Sequence, residues 1–168
     1  MTTAGILAAA LVLVAGAATA GQPEAGTTVI LVRHAERTSM TDPDSPLSAE
    51  GRQRADALAR LLRDASVSAI ITSPRVRTQQ TAEPLARDRR LTPRVLPADD
   101  LDGVVSTIRA LAGQTVLVVH HSNTVPALAD KLGVPIPPIA DDEYDRLVIV
   151  TVPRSGPPSS VTLRFAGR

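Results

Sequence analysis

Two apolar runs of mostly β-branched residues each lead into histidine. Residues 28–32 precede the segment that contains His34, and residues 116–119 are followed directly by His120 and His121. Short apolar runs of this kind predict buried strands. Because open α/β sheets place their active sites just beyond the carboxyl ends of their strands, we expect these histidines to lie at one edge of such a sheet.

Strand and helix signals alternate along the rest of the chain. Ser48 is expected to cap a helix with an apolar face, and Ser73 and Pro74 are expected to open a second helix that Pro84 kinks or ends early. This alternation indicates βαβ units. We predict an α/β fold, a three-layer α/β/α sandwich with a mostly parallel, mixed sheet of about six strands. The remaining predicted elements are strands at 69–71, 94–96, 147–152 and 161–165 and helices at 101–111 and 123–132.

The first residues have the pattern of a secretory signal peptide. Residues 1–20 contain no charged side chain, and the apolar stretch 6–18 is followed by small residues up to Ala20. A permanent membrane anchor is the alternative, but the stretch is shorter than the ~20 residues that span a bilayer. We expect a signal peptide cleaved after Ala20, a linker at 21–27 and one domain at 28–168, exported to the periplasm or the cell exterior with no stable membrane span.

Composition excludes several classes of function. The chain has no cysteine, so disulfides, thiolate catalysis and cysteine-ligated metals are absent. Its formal net charge is +1 and its aromatic content is 1%. A broad basic patch and a stacking platform are therefore both missing, and nucleic acid is not an expected partner.

The residues around the strand ends fit phosphoryl transfer. A neutral imidazole can attack a phosphoryl group and form a phosphohistidine that water later hydrolyses, and His34 is the candidate nucleophile. Arg33 and Arg77 would spread positive charge over the nonbridging oxygens. This chemistry requires no metal and no cofactor. Backbone N–H groups at the start of the last helix would add an anion site, at Ser122, Asn123 or Thr124.

The adjacent histidines cannot both enter the pocket if the strand continues through them. Side chains of successive strand residues point to opposite faces, and spacing alone does not decide between His120 and His121. Either could instead be a buried histidine bonded to a backbone carbonyl, and the arginines could be ordinary surface charges. The joint occurrence of histidines at two strand ends with Arg33 and Arg77 is what favours a site. Two loops rich in Pro and Asp, 36–46 and 135–144, are expected to border a substrate.

Four motifs occur along the chain in a familiar order. They are Arg33-His34-Ala35-Glu36, Leu47-Ser48-Ala49-Glu50-Gly51, Ser73-Pro74 with Arg77 and Thr81-Ala82, and Val118-Val119-His120-His121-Ser122-Asn123-Thr124. This ordered set resembles the histidine phosphatase superfamily, the phosphoglycerate mutase-like proteins. The resemblance runs from about Val29 to the terminal strands, with Ala35 standing where glycine is commoner.

The resemblance implies a role for each motif. His34 would be the nucleophile, with Arg33, Arg77 and His121 forming the phosphate pocket. His121 occupies the family position, while His120 stands where a small residue is usual.

The sequence does not decide which residue protonates the leaving group. The resemblance points to an acidic residue after the third strand, which is Asp99 or Asp100 here and is slightly favoured. Either could simply cap the helix that begins near residue 101. Glu36 is the second candidate, and it could also be a solvated loop carboxylate.

The leading hypothesis is an exported, metal-independent phosphomonoesterase of the histidine acid phosphatase type, acting through a phosphohistidine on a phosphorylated small molecule or phosphoprotein. A phosphoglycerate mutase-type enzyme and a phosphohistidine phosphatase are alternatives that fit an exported protein less well. A noncatalytic phosphate-binding module is an alternative of another class. A metallohydrolase that uses His34, His120 and His121 is less favoured, because adjacent strand histidines cannot easily reach one ion.

Overall fold

Six strands form one mixed sheet in the computed structural model, which describes residues 26–166. The strand order is β3-β2-β4-β1-β5-β6. The strands are β1 (Thr27–Arg33), β2 (Ala69–Thr72), β3 (Arg94–Val95), β4 (Thr115–His120), β5 (Arg146–Val152) and β6 (Ser159–Arg164). The helices are α1 (Ala49–Leu61), α2 (Val76–Arg89), α3 (Leu101–Ala110) and α4 (Thr124–Lys131).

The pairing of the central strands brings the two histidine segments to one edge of the sheet. β1 runs parallel to β4 with Arg33 opposite His120, and β4 runs parallel to β2, which pairs with β3. β5 is antiparallel to β1, and β6 is antiparallel to β5. The residues that follow β1 and β4 therefore leave the sheet side by side, as expected for an α/β active site.

Both faces of the sheet are covered, because alternate residues of the central strands are apolar on each face. One face packs with α3 and α4, and the other packs with α1 and α2. The three-layer α/β/α sandwich with a mostly parallel, mixed sheet of six strands is therefore confirmed. The first face includes Val29, Leu31, Val116 and Val118, and the second includes Ile30, Val32, Leu117 and Val119.

The second helix differs from its prediction at the start and in the interior. It begins at Val76 with Arg75 as the N-cap residue, so Ser73 is not the cap. The helix also continues through Pro84 to Arg89. Its next turn buries Leu85, which is 1% exposed, and this burial offsets the ~3 kcal/mol that an interior proline costs.

The predicted signal peptide and residues 21–25 of the predicted linker lie outside the described residues. β1 begins at Thr27, the last residue of that linker. Within residues 26–166, no helix is long and apolar enough to cross a membrane.

Candidate active site

The local hydrogen bonds of His34 fix which ring nitrogen is free. Its backbone N–H donates to the His120 carbonyl at 2.9 Å, which anchors it to the end of β4. Its Nδ1 lies 2.8 Å from the Ala35 carbonyl oxygen. A carbonyl can only accept, so Nδ1 carries the proton and Nε2 keeps its lone pair. The free nitrogen is therefore a nucleophile rather than a donor.

The surroundings of His34 keep it uncharged. Burial lowers the pKa of His34 to about 3, and the positive charges of Arg33 and Arg77 act in the same direction. The hydrogen bond to Ala35 acts in the opposite direction and is outweighed. The imidazole is therefore neutral from mildly acidic to alkaline pH.

The loop after His34 is held by α1 and α2. The Ala35 N–H donates to Thr81 Oγ1 at 2.9 Å, and the Ser48 N–H donates to the Glu36 carbonyl at 2.9 Å. Gly51 lies so close that a Cβ there would be 2.1 Å from the Glu36 carbonyl oxygen. The second and third sequence motifs thus support the backbone of the first.

Arg33 is buried and only partly satisfied. Its Nη1 donates to the carbonyl oxygens of Ala140, Asp141 and Glu143 at 2.9, 2.9 and 3.1 Å. The Tyr144 ring covers the guanidinium, with Cζ 4.1 Å from the ring centroid. Arg33 Nε is buried without a partner. This guanidinium therefore holds the 140–144 segment, while its Nε is enclosed by protein without a partner.

The guanidinium of Arg77 is likewise hydrogen-bonded at one nitrogen and unpartnered at another. Arg77 lies in the first turn of α2 and is 9% exposed, and its Nη1 donates to the Pro43 carbonyl at 2.8 Å. Its Nε is also buried without a partner. An unsatisfied buried donor costs ~1–3 kcal/mol, more when it is charged.

His121 is the paired histidine whose ring faces the nucleophile. The ring centroids of His34 and His121 are 5.4 Å apart in an edge-on arrangement. His121 Nε2 lies 3.0 Å from Ser73 Oγ, so the Ser73 hydroxyl positions this ring instead of capping α2. Burial lowers the pKa of His121 to about 3, and the neighbouring charges act in the same direction. In the empty pocket this ring is neutral and offers one N–H.

His120 is fully buried and bonded to a side chain. Its Nδ1 lies 2.6 Å from Thr124 Oγ1, while its Nε2 has no partner. Burial lowers its pKa to about 4. The expectation of a buried histidine bonded to a backbone carbonyl is therefore replaced by a bond to the Thr124 hydroxyl.

The start of α4 leaves two backbone N–H groups available. The N–H groups of Thr124 and Val125 both donate to the His121 carbonyl. The N–H groups of Ser122 and Asn123 make no hydrogen bond within residues 26–166. Of the three predicted anion donors, the first two remain free and Thr124 does not.

Comparison with known protein families supports the same residues. The model of the histidine phosphatase superfamily, branch 1, matches residues 29–102, which include Arg33, His34 and Arg77. Residues 29–102 are therefore similar to the histidine phosphatase superfamily. His121 lies outside the matched range, and its assignment rests on its position beside His34.

Solved phosphatases share the fold of this chain. The protein histidine phosphatase SixA complexed with tungstate is 24% identical with a TM-score of 0.68, covering 82% of this chain and 96% of that one. A mycobacterial glucosyl-3-phosphoglycerate phosphatase is 15% identical with a TM-score of 0.64, covering 82% and 98%. A mutant phosphoserine phosphatase from Entamoeba histolytica, in complex with phosphoserine, is 14% identical with a TM-score of 0.62, covering 83% and 96%. These identities establish the fold and leave the substrate open. No curated protein matches the sequence.

The candidate acids lie in two different settings. Asp100 caps α3, with Oδ1 accepting from the Gly103 N–H at 2.8 Å, and Asp99 is exposed beside it. Neither side chain bonds to the histidines or arginines of the pocket. Glu36 is held through both oxygens by Arg54 Nε, at 2.7 and 3.0 Å. Its carboxylate is thus engaged in an ion pair rather than solvated.

Tyr144 and Ser73 are pocket residues whose roles the sequence did not reveal. Tyr144 is the only tyrosine of the chain, and its ring centroid lies 6.1 Å from that of His34.

Both loops expected to border a substrate do reach the pocket, since Pro43 contacts Arg77 and the 140–144 segment contacts Arg33. Tyr144 also lines an adjoining cavity of about 380 Å³ with mostly charged walls.

The described residues contain no metal-ligand cluster. Among residues 26–166, no three His, Cys, Asp or Glu side chains are grouped so that they could hold a metal ion.

Proposed function

We propose that this chain is a phosphomonoesterase that acts through a phosphohistidine on His34 Nε2. The observation that carries the proposal is the 2.8 Å contact between His34 Nδ1 and the Ala35 carbonyl. It fixes the tautomer, so that Nε2 keeps its lone pair on an imidazole that the charges of Arg33 and Arg77 influence.

The proposed reaction has two displacements. In the first, Nε2 of His34 attacks phosphorus, the bond from phosphorus to the ester oxygen breaks, and the leaving alcohol takes a proton from an acid. In the second, water attacks the phosphohistidine, the P–N bond breaks, the released proton passes to a base, and inorganic phosphate leaves. Dividing one difficult displacement into two is the usual advantage of a covalent intermediate.

The pocket stabilises charge on the transferred group. The guanidinium groups of Arg33 and Arg77 supply positive charge beside His34, and His121 with the N–H groups of Ser122 and Asn123 supplies further donors. Preorganised donors of this kind provide most of the catalysis in phosphoryl transfer. We therefore propose that the enzyme works without a metal or cofactor.

The low pKa of the nucleophile extends the proposed activity to acid pH. His34 remains neutral down to about pH 4, because its pKa is lowered to about 3. This property supports an acid phosphatase, the subclass expected from the sequence.

The test is hydrolysis of 4-nitrophenyl phosphate with EDTA present, comparing the wild type with His34→Ala and His120→Gln. We expect turnover in EDTA, a loss of about 10⁴-fold or more in His34→Ala, and retained activity in His120→Gln. Activity that survives in His34→Ala would reject the nucleophile, and loss in EDTA would reject metal independence. Phosphate binding without turnover of any phosphomonoester would identify a noncatalytic binding module.

We also propose that the protein is exported. The uncharged apolar segment at residues 6–18, closed by small residues, supports this proposal. Mass spectrometry of the protein from the periplasm or medium of a bacterial host should give an N-terminus at Gly21. Recovery of only the uncleaved chain in the cytoplasm or membrane would contradict it.

A further inference from the structure

Two arginines beside the phosphate pocket have no carboxylate partner. Among residues 26–166, neither Arg37 nor Arg75 forms an ion pair, whereas Arg54, Arg146 and Arg164 all do. The one side-chain hydrogen bond of Arg37 joins Nε to Met40 Sδ at 3.4 Å. The guanidinium of Arg75 makes none. Both cations are therefore free to meet an anion.

Local structure places both arginines next to the pocket. Arg37 follows His34 by three residues, and its backbone bridges to Leu47. Arg75 precedes Arg77 by two residues, and its N–H donates to Ser73 Oγ, the hydroxyl that contacts His121.

Electrostatic coupling confirms that the guanidinium groups are close together. Burial is the main cause of the lowered pKa of Arg77, and the charges of Arg37 and Arg75 are the next largest causes. Arg37 also lowers the pKa of Arg33, and Arg75 lowers that of His121. Arg37 and Arg75 thus act on the arginines beside His34, and Arg75 also acts on His121.

The nearby carboxylates do not neutralise this charge. Glu36 is paired with Arg54, and Asp44 Oδ1 accepts from the Val76 N–H at 3.0 Å. Asp44 acts electrostatically on Arg77, and Asp141 acts on Arg33. Within the part of the chain that the structure describes, no ion pair involves Arg37 or Arg75.

Exposure separates the four arginines into two pairs. Arg33 and Arg77 are 5% and 9% exposed and have the unpartnered Nε atoms of the inner pocket. Arg37 is partly exposed and Arg75 is exposed, so their guanidinium groups lie toward solvent. The inner pair is placed for the transferred phosphoryl group, and the outer pair is placed for the group attached to it.

We propose that Arg37 and Arg75 form a second anion subsite, and that the preferred substrates are small phosphomonoesters whose leaving group carries a further carboxylate or phosphate. This inference rests on the proposed phosphomonoesterase function. Guanidinium groups bind both anions through charge-assisted hydrogen bonds, so either anion fits the subsite.

The test compares substrates that differ by one charge. Phosphoglycolate is matched with phosphoglycolamide, and 4-carboxyphenyl phosphate is matched with 4-carbamoylphenyl phosphate. The two pairs place the second group at different distances from phosphorus. We expect kcat/KM to favour the carboxylate by about tenfold in at least one pair, which is the size of one charge-assisted contact at a partly exposed site. A ratio near one in both pairs would overturn the inference.

Variants assign any preference to the two arginines. The double variant Arg37→Gln/Arg75→Gln should bring the ratio close to one while amide turnover stays near that of the wild type. The matched control is Arg109→Gln, which removes a charge from the last turn of α3, at the opposite end of the sheet. An equal loss on acid and amide would assign these arginines to the transferred phosphoryl group and overturn the subsite. The same fall in the ratio in Arg109→Gln would indicate only the general field of the protein, and would also overturn it.

A binding measurement separates this inference from the function on which it rests. If the wild type hydrolyses no phosphomonoester, the four compounds are titrated by calorimetry instead. Tighter binding of the acids than of the amides, lost in the double variant, would support the subsite in a noncatalytic protein. Equal affinities would overturn it.

Discussion

Tyr144 covers the guanidinium group of Arg33, which we propose binds the phosphoryl group of the substrate. Its ring lies over Arg33, with Cζ 4.1 Å from the centroid, and its hydroxyl is 3.5 Å from Nη2. We expect Tyr144→Phe to keep kcat/KM near the wild-type value because the ring remains. Tyr144→Ala removes a contact worth ~0.5–2 kcal/mol and should lower kcat/KM about threefold to tenfold, mainly through KM. Steady-state kinetics would contradict this role if Tyr144→Phe were as impaired as Tyr144→Ala, because the hydroxyl would then be the acting group.

The proton donor can be identified from the dependence on the leaving group. We predict that Asp99 or Asp100 is the donor, ahead of Glu36, whose two oxygens are held by Arg54. Replacing the donor with its amide should lower turnover of phenyl phosphate about 10²-fold or more, with little effect on 4-nitrophenyl phosphate, whose leaving group needs no proton. The three single variants Asp99→Asn, Asp100→Asn and Glu36→Gln are compared on both substrates. The selective effect in Glu36→Gln alone would contradict the prediction.

At the residue scale, the sequence predicted two histidines that the structure brings close together, and it missed the residues around them. A histidine after an apolar run carries a local signal, and alternation along a strand indicates that only one of His120 and His121 enters the pocket. The partners of Arg33 lie more than one hundred positions away in the chain. No local pattern reports such contacts, so the links from Arg33 to the 140–144 segment could not be predicted.

At the scale of elements, the segment from Leu47 to Gly51 combines a cap with a close backbone contact. Ser48 Oγ accepts from the Gly51 N–H at 3.0 Å, so Ser48→Ala should cost about 1 kcal/mol of unfolding free energy and leave kcat nearly unchanged. Gly51→Ala would place a Cβ 2.1 Å from the Glu36 carbonyl and must displace the nucleophile loop. We expect it to cost ~1–3 kcal/mol and to lower kcat as well. Urea unfolding and steady-state kinetics measure the unfolding free energy and kcat of both variants. Full activity in Gly51→Ala would show that Gly51 does not support the loop that contains His34.

The strands β1, β2, β4 and β5 were predictable because each is a short, mostly apolar run between turn signals. The predicted Ser48 cap is also observed, with its hydroxyl bonded to the first turn of α1. The start of α2 was not predictable, because the Ser73 hydroxyl that should cap it contacts His121 instead. A contact between residues distant in the chain therefore overrides the local capping preference of Ser73. At Pro84, burial of the next turn outweighs the cost of a proline inside the helix.

For the whole molecule, the three histidines should make stability depend on pH. Burial lowers their pKa values to about 3, 4 and 3, below the ~6.5 of an unfolded chain. Between about pH 6.5 and pH 4 the unfolded chain binds protons that the folded protein does not bind. The unfolding free energy should therefore fall as pH falls through this range.

The fully buried His120 provides the sharpest test of this dependence. One such histidine contributes up to about 1.4 kcal/mol per pH unit to the slope of unfolding free energy against pH. His120→Gln should flatten the slope between pH 6 and pH 4.5 by about that amount, whatever its effect on stability at pH 7. Urea unfolding at a series of pH values measures both slopes, and identical slopes would contradict the lowered pKa of His120.

The central claim is that His34 Nε2 becomes phosphorylated during turnover. Rapid-quench labelling with a ³²P-phosphomonoester, followed by peptide mapping, tests it most directly. The account predicts an acid-labile, alkali-stable adduct on His34 that forms and decays at rates compatible with kcat and is absent from His34→Ala. Turnover without any labelled histidine, or label on a different residue, would contradict it.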